Sequence, residues 1–358
     1  MAAGLTTAGL TLNAKENPDF AKFVFERVFE QGNLGQNHRV WSGVKMQEQI
    51  VFASLFGKSG ITDAGTARPN SGNKPTLTQK YWNPKRIGDT LIFNNSELNS
   101  LFKAYYDKIQ KYSEIYDITG TDEEKFLLEV FADSAMKAVN RYVWFGDTAV
   151  AVSGAGAAGL IAAADVKFYD AVDGLWKKIY ASVTAAATKK FAITKNTAAT
   201  FALQALAADE SLTIFEGVWA LADARLKADP NKVMMVTNTV WENYRQSLQS
   251  KGTAYDITLT TDGFREVKWN GTTIRNMETL WDLTIQADYE KTNAHAAFDN
   301  PHRVLLTTAD NIPVATLNEG DLSELEAFYY QKDRTNYMAY GFTLDAQLLE
   351  GYMAVAAY

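Results

Sequence analysis

The sequence contains no cysteine and only three histidines. The first absence excludes disulfides, thiolate metal sites and cysteine nucleophiles together. The second leaves little for imidazole acid–base catalysis. His295 and His302 lie seven apart in a polar loop around DNPHR, a spacing that suits no familiar metal motif, so a solvated or hydrogen-bonding role is expected for them. No catalytic residue, metal or cofactor is expected. No apolar run reaches the ~18 residues that a membrane span requires. The opening MAAGLTTAGLTLNAKENPDF lacks a basic start and an apolar signal core, so a cytoplasmic product is expected. There is no basic excess either: 35 Lys and Arg stand against 42 Asp and Glu, a net charge of -7. Such a surface does not draw phosphate backbones.

What is present is ample material for a core. The 358 residues, 47% hydrophobic and 22% charged, are enough for one large or two ordinary soluble domains. Within them, AVAVSGAGAAGLIAAADV places Gly154, Gly156 and Gly159 in a GxGxxG pattern. In a dinucleotide fold these glycines permit the tight turn, the backbone approach to pyrophosphate and the helix–strand contact. Such a site also needs an acidic strand end about 20 residues further on. Here Asp170 and Asp173 fall in a helix-like pattern with Val172, Leu175, Trp176 and Ile179, and the next strand-like run, KKFAITK, ends in Lys195. Residues 149–152 read as a very short strand directly after a long helix. The glycines are therefore read as a connector; the alternative is a nucleotide-dependent enzyme using Gly154, Gly156 and Gly159.

Along the chain, DFAKFVFERVFE carries an apolar stripe of Phe20, Phe23, Val24 and Val28 with nothing sequential to cover it, which suits a partner surface. Residues 50–56 and 90–93 read as strands around a polar centre, 57–79, too poor in apolar residues for a core of its own. This reads as an extended arm ordered against something else, and Lys58, Arg68, Lys74, Lys80, Lys85 and Arg86 suggest an acidic neighbour. Next comes ITGTDEEKFLLEVFADSAMKAVNRYVWFGDTA. Thr121 and Glu124 form a capping box, Asp122 and Glu123 suit the positive end of the helix dipole, and Gly146 is a C-terminal stop. Leu127, Leu128, Phe131, Ala135, Ala138, Val139, Tyr142 and Phe145 recur at helical spacing, giving a helix about 36 Å long.

From about 150 to 300 helices and strands alternate. SLTIFEGVWALADARLKADP is a helix stopped before Pro230, KVMMVTN a buried strand, and TVWENYRQSLQSKG a helix; VKWNGTTIRN is a hairpin on Asn270-Gly271. RVLLTTADNIPVATL and ELEAFYYQKDRTNYMAYGFTLDAQLLEGYMAVAAY read mainly as antiparallel strands joined by DN and KDRTN turns. With few basic residues interleaved, the aromatics of FYYQKDRTNYMAY suit a packed sheet better than base stacking. The whole is an α+β chain, a helix-plus-sheet platform interrupted by an inserted domain.

That order resembles the major capsid protein of tailed bacteriophages, of the Hong Kong 97 type. EEKFLLEVFADSAMKAVNRYVWFGDTA looks like its spine helix, VSGAGAAGLI like the glycine-rich exit into the axial domain, and PHRVLLTTADNIPVATL with DRTNYMAYGFTLDAQLLEGYMAV like the closing strands. The resemblance implies an N-terminal arm over 1–45, an extended β-hairpin E-loop over 46–100, and a peripheral domain with the spine helix over 101–149. An axial domain over 150–300 and peripheral strands over 301–358 complete it. It implies a non-enzymatic structural protein that self-assembles as hexamers and pentamers into an icosahedral shell around double-stranded DNA. The expected location is the virion capsid, assembled in the host cytoplasm, with a separate scaffolding protein, a portal and a decoration protein as partners. An encapsulin-type protein compartment is the alternative within the same fold. Contacts between subunits are then expected at Phe23, Val24, Lys58, Arg68, Lys74, Lys80, Trp82, Lys85, Arg86, Asp333 and Arg334. Some members crosslink an E-loop lysine to a neighbour's asparagine. Here Lys58, Lys74 or Lys80 and Asn336 or Asn318 would be the pair, but they are read as ordinary surface residues.

Overall fold

The structure is a computed structural model that describes residues 34–53, 62, 77–94, 116–119, 122–252, 257–259, 264–290, 296–317 and 326–358. Strands are numbered in chain order. After a helical turn, Leu34–Asn37, come β1 (Val40–Trp41), β2 (Gln49–Ala53) and β3 (Leu77–Tyr81). β2 and β3 form an antiparallel ribbon of their own, in register from Gln49↔Tyr81 to Ala53↔Leu77. The strand expected over 90–93 is part of a longer one, β4 (Lys85–Asn94).

The long helix runs Asp122–Phe145, 24 residues. Leu127, Phe131, Ala135, Ala138, Val139 and Tyr142 are buried at the spacing read from sequence. Thr121, one half of the expected capping box, lies outside the described residues. The helix ends at Gly146, but for a different reason from the one expected. Gly146 has no positive φ. A Cβ there would lie 2.4 Å from the Val172 carbonyl oxygen and 2.8 Å from that of Tyr142, and the Gly174 N–H donates to the Gly146 carbonyl at 2.7 Å. Glycine is needed because two backbones cross, not because the chain turns left-handed.

Beyond the crossing, residues 149–152 do not form the expected strand. A helical turn, Val150–Ser153, is stopped by Gly154 at φ 71°. A minimal hairpin follows, β5 (Ala155–Gly156) with β6 (Gly159–Leu160). The next helix is Leu175–Ala185, so Asp170 and Asp173 precede it instead of lying within it. Only Lys190–Phe191 of KKFAITK is strand, β7. The helix expected up to Pro230 is two, Glu210–Leu221 and Ala224–Ala228, because the Asp223 carboxylate accepts the Arg225 N–H at 2.9 Å and starts a new helix. β8 (Lys232–Val236) and the helix Asn238–Ser250 agree with the sequence reading. β9 (Thr258–Leu259), β10 (Arg265–Trp269) and β11 (Thr272–Asn276) follow. Asn270 and Gly271 turn the β10–β11 hairpin with φ of 46° and 72°, the pair of left-handed residues that a type I′ turn requires.

The closing part contains β12 (Val304–Thr308), β13 (Val314–Ala315), β14 (Glu326–Tyr330), β15 (Thr335–Ala346) and β16 (Val355–Ala357). These strands do not share one sheet. β13, β14 and β15 join β1 and β4, with β15 paired to β4 from Thr335↔Asn94 to Leu344↔Lys85. Residues 85–94 thus belong to this five-stranded sheet. β12 and β16 enter the other sheet, of order β7-β16-β12-β8-β11-β10-β9. The boundary expected at 300 therefore does not separate the sheets. The reason is visible in VLLTT, buried at every position: such a strand needs cover on both faces and sits centrally.

That cover comes from two cores. Met234, Val236, Val304, Leu306 and Val355 pack with Phe215, Val218, Trp241 and Tyr244 of the helices on one face. Met235, Leu305 and Ala356 face the opposite way, into a core shared with the long helix, the Leu175–Ala185 helix and part of the five-stranded sheet. At its centre Trp281 meets the rings of Trp144 and Trp176 edge-on, each at 4.9 Å. The long helix and both sheets are thereby parts of one packed body. Because the 146/174 crossing sets where the helix meets this core, Gly146→Ala is expected to lower stability by about 1–3 kcal/mol, read as a lower urea midpoint at unchanged m-value.

Candidate functional site

The glycine hairpin is the first place to look for chemistry, and its donors are already occupied. Asp147, buried where the long helix ends, accepts the Ala149 N–H at 2.9 Å and the Ala157 N–H at 2.7 Å. Asp299 accepts the Leu160 N–H at 2.9 Å. Gly159, at φ 146°, has no room for a side chain, since a Cβ would lie 2.5 Å from that of Asp299. The backbone amides that would cradle a phosphate in a nucleotide fold instead hold the chain's own carboxylates. Asp147 is in turn paired with Lys177 at 2.7 Å, which also reaches Asp173 at 2.7 Å. Burial favours the neutral form of Asp173, but hydrogen bonds from Lys177 and from the N–H and hydroxyl of Thr148 outweigh it and hold the carboxyl below its ordinary value.

Behind the hairpin lies Arg303, 0% exposed. Its Nε donates to the Asn300 carbonyl at 2.8 Å; its Nη2 donates to the carbonyls of Asp299 at 3.1 Å and Ala158 at 3.2 Å. The rings of Phe145, Trp176, Tyr180 and Tyr289 surround it, their centroids 5.1 to 6.0 Å from the guanidinium carbon. The next polar groups outward are also committed. His302 bonds Thr239 Oγ1 at 2.8 Å through Nδ1 and the Gln204 carbonyl at 2.6 Å through Nε2; burial lowers its pKa. This is the hydrogen-bonding role expected, but in a buried site. His295 lies outside the described residues. His38 bonds the Ile312 carbonyl at 2.8 Å, and burial lowers its pKa to about 4. Among the described residues no group of three or more His, Asp or Glu could hold a metal ion.

Of the residues expected to contact other subunits, Phe23, Val24, Lys58, Arg68 and Lys74 lie outside the described residues, as does Asn318. Trp82 is buried in its own chain, among Val44, Ile50 and Ala315 with its ring 5.8 Å from Trp41. It follows β3 and packs the ribbon's base against Ala315 of β13. Lys80 is half-buried, with Nζ donating to the Leu348 carbonyl; burial, then the charge of Lys178, lowers its pKa. Asp345 completes this base, accepting the Asn83 N–H at 2.8 Å and Lys178 Nζ at 3.0 Å. Lys85, Arg86 and Asp333 are exposed. Arg334, at φ 52° in the β14–β15 turn, lies over the Tyr116 ring at 4.8 Å. Asn336 is buried and donates to the Tyr116 carbonyl at 2.7 Å, so its amide is engaged within the chain. The sequence reading missed Val51 and Tyr81, exposed together on the outer face of the ribbon. Their alternation with Ile50 and Lys80 was the available signal.

The fold as a whole is similar to that of solved structures. The satellite phage P4 procapsid structure that includes the size determination (Sid) protein superposes with a TM-score of 0.50 at 10% identity, over 94% of this chain and 98% of that one. The capsid of a native GTA particle gives 0.51 at 12%, over 90% and 88%. Gordonia phage Cozz gives 0.51 at 11%, over 90% and 85%. The chain has the Hong Kong 97-type phage capsid fold. No protein-family model and no curated protein sequence matches it. In this capsid fold the glycine pattern is a hairpin at the end of the long helix, and among the described residues no helix is long and apolar enough to cross a membrane.

Substitutions at two positions test this reading of the capsid fold's interior. Arg303→Met leaves the carbonyls of Ala158, Asp299 and Asn300 without their donor and is expected to cost about 3 kcal/mol or more, with faster amide exchange at Ala157 and Leu160; Arg303→Lys should not restore stability, because an ammonium cannot span the same fork. Asp282 accepts the Asn238 N–H at 2.8 Å, and burial raises its pKa to about 7. Below pH ~4 the carboxyl is neutral in both states and costs nothing. Between ~4 and ~7 only the unfolded chain ionises, so stability falls as pH rises. Asp282→Asn, which keeps an acceptor for Asn238, should therefore raise stability at pH ~8 by up to about 4 kcal/mol and leave it unchanged near pH ~4, measured by urea unfolding at the two pH values.

Proposed function

We propose that this chain is the major capsid protein of a tailed bacteriophage, a structural and non-enzymatic protein that assembles with copies of itself. The observation that carries the reading is similarity to phage capsid structures along nearly the full length of both chains, 94% and 98% against the P4 procapsid. The copies form hexamers and pentamers of an icosahedral shell enclosing double-stranded DNA, and the protein resides in the virion capsid after assembly in the host cytoplasm. Its partners are a separate scaffolding protein, a portal and a decoration protein.

Physical features of the chain support this reading. A two-stranded ribbon is marginally stable alone, yet β2 and β3 form one with Val51 and Tyr81 on its outer face; a neighbouring subunit supplies the missing cover. The net charge of -7 suits an inner wall that encloses DNA without gripping it. The carboxylates that cap the glycine hairpin remove the nucleotide-dependent alternative's phosphate donors.

Negative-stain microscopy and sedimentation of the expressed protein, with and without the scaffolding protein, test the reading. Closed shells, or rings of five or six, are expected. A monomer or dimer that never assembles further would overturn it. DNA inside particles from a productive infection separates a phage capsid from an encapsulin-type compartment loaded with protein.

A further inference from the structure

Residues 34–41 form a strap across the edge of the five-stranded sheet. Its helical turn closes with the His38 N–H donating to the Leu34 carbonyl at 2.8 Å, and Leu34 enters the core shared with the long helix. β1 is only two residues long and lies at the sheet edge, parallel to β13. Backbone hydrogen bonds stitch the strap to 309–316, among them Arg39 N–H to the Ala309 carbonyl at 3.3 Å, Val314 N–H to the Arg39 carbonyl at 3.0 Å and Thr316 N–H to the Trp41 carbonyl at 2.9 Å. Trp41 in turn meets Trp82 at the base of the ribbon, their rings 5.8 Å apart. A segment held by so short a ladder opens at a lower free energy than the cores behind it.

The side chain that pins the strap is His38, 2% exposed. Its Nδ1 bonds the Ile312 carbonyl at 2.8 Å, and because a carbonyl only accepts, the proton of the neutral imidazole sits on Nδ1. Nε2 is buried too and has no hydrogen-bond partner among the described residues. A second proton must go to Nε2, where it makes a buried cation whose new N–H has no acceptor. The surroundings do not relieve this. The long helix presents the Trp144 ring, 5.0 Å away; such a face attracts a cation, but by less than uncompensated burial costs. β11 presents Arg275, a like charge, whose Nη1 donates to Asn37 Oδ1 at 2.6 Å and whose Nε donates to Glu266 at 2.6 Å. The 309–311 turn carries Asp310, which pairs with Arg39 at 3.6 Å on the exposed side. No carboxylate among the described residues bonds His38 or offsets its charge.

We propose that His38 is an acid-sensitive latch: a proton on Nε2 releases residues 34–41 from β13, and with them the root of the ribbon, while the two cores stay folded. In the latched state burial holds the imidazole pKa down to about 4, against the bond to Ile312 and with a smaller contribution from Arg275. Once released, the ring regains its ordinary value near ~6.5. Above pH ~6.5 neither state is protonated and the latch stays closed; between ~6.5 and ~4 only the released state takes up the proton, so opening becomes easier as pH falls.

Hydrogen exchange of the full chain, corrected for the intrinsic effect of pH, tests this. Protection of the Arg39, Val314 and Thr316 amides is expected to fall at least about tenfold between pH ~7 and pH ~4.5. The Gly174 amide, bonded to the Gly146 carbonyl at 2.7 Å, should keep its protection, and so separates release of the strap from global unfolding. His38→Asn, whose side-chain amide can donate to the Ile312 carbonyl but does not titrate, should abolish the fall. An equal fall in His38→Asn, no fall in the parent, or a matching loss at Gly174 overturns the proposal. If His38→Asn leaves the strap unprotected even at pH ~7, histidine ring NMR of the parent decides, with only three histidines to assign. The His38 signal must then titrate together with the loss of protection; a ring that stays neutral while protection falls, or that titrates while protection holds, overturns the latch.

Discussion

The buried guanidinium of Arg303 is the constraint on which the rest of the body depends. Desolvating it is expensive, and the structure offsets that cost with three backbone carbonyls and four aromatic faces. These partners come from separate parts of the chain. Ala158 lies in the glycine hairpin, Phe145 ends the long helix, Trp176 and Tyr180 lie on the helix beyond the crossing, and Tyr289 follows the turn that carries Trp281. Arg303 itself immediately precedes β12, a central strand of the larger sheet. One side chain therefore fixes the end of the long helix relative to that sheet. A hydrophobic residue of similar size could fill the space, but it would leave the carbonyls unsatisfied.

Much of the organisation was legible because it is local. The period of Phe131, Ala135, Ala138 and Tyr142 defines a helix face, Asn270-Gly271 fits only a tight hairpin, and KVMMV is a strand covered on both sides. The order of these elements carried the resemblance to a capsid fold. What was not legible depends on partners distant in sequence. Gly146 looks like a helix stop in a linear reading; only the approach of Val172 and Gly174 explains it. VLLTT and the final VAA read as strands, but nothing nearby says that they join β8 instead of β15. Trp82, judged by its position beside a polar arm, looked like a contact for a neighbour; the facing Trp41 and Ala315 make it a core residue. The GxGxxG pattern shows the same limit. Its glycines are required for conformation and close approach, as in a nucleotide fold, but the anions they accommodate are Asp147 and Asp299.

The distribution of polar groups follows from this. His38, His302, Asp147, Asp282, Asp345 and Arg303 are each bound to backbone or to another side chain, which rigidifies the body and leaves them without solvent-facing chemistry. Where side chains meet water, two different surfaces result. The base of the β2–β3 ribbon is clamped by Trp82, Lys80 and Asp345, while the outer face of the ribbon carries Val51 and Tyr81. The region around 298–303 is clamped by Gln204 and Asn196, while the half-exposed Phe201 lies against the ring of Phe298. In both, polar attachment lies beneath and apolar contact lies above.

That arrangement separates two demands that would conflict in a single loop. Flexible apolar segments associate weakly, because binding must also order them, and when free they collapse onto their own chain. Side-chain hydrogen bonds from below fix such segments before a partner arrives, so the apolar area buried on contact is not offset by ordering. Many copies meeting through modest contacts of this kind gain stability by closure, since each added subunit engages more than one neighbour.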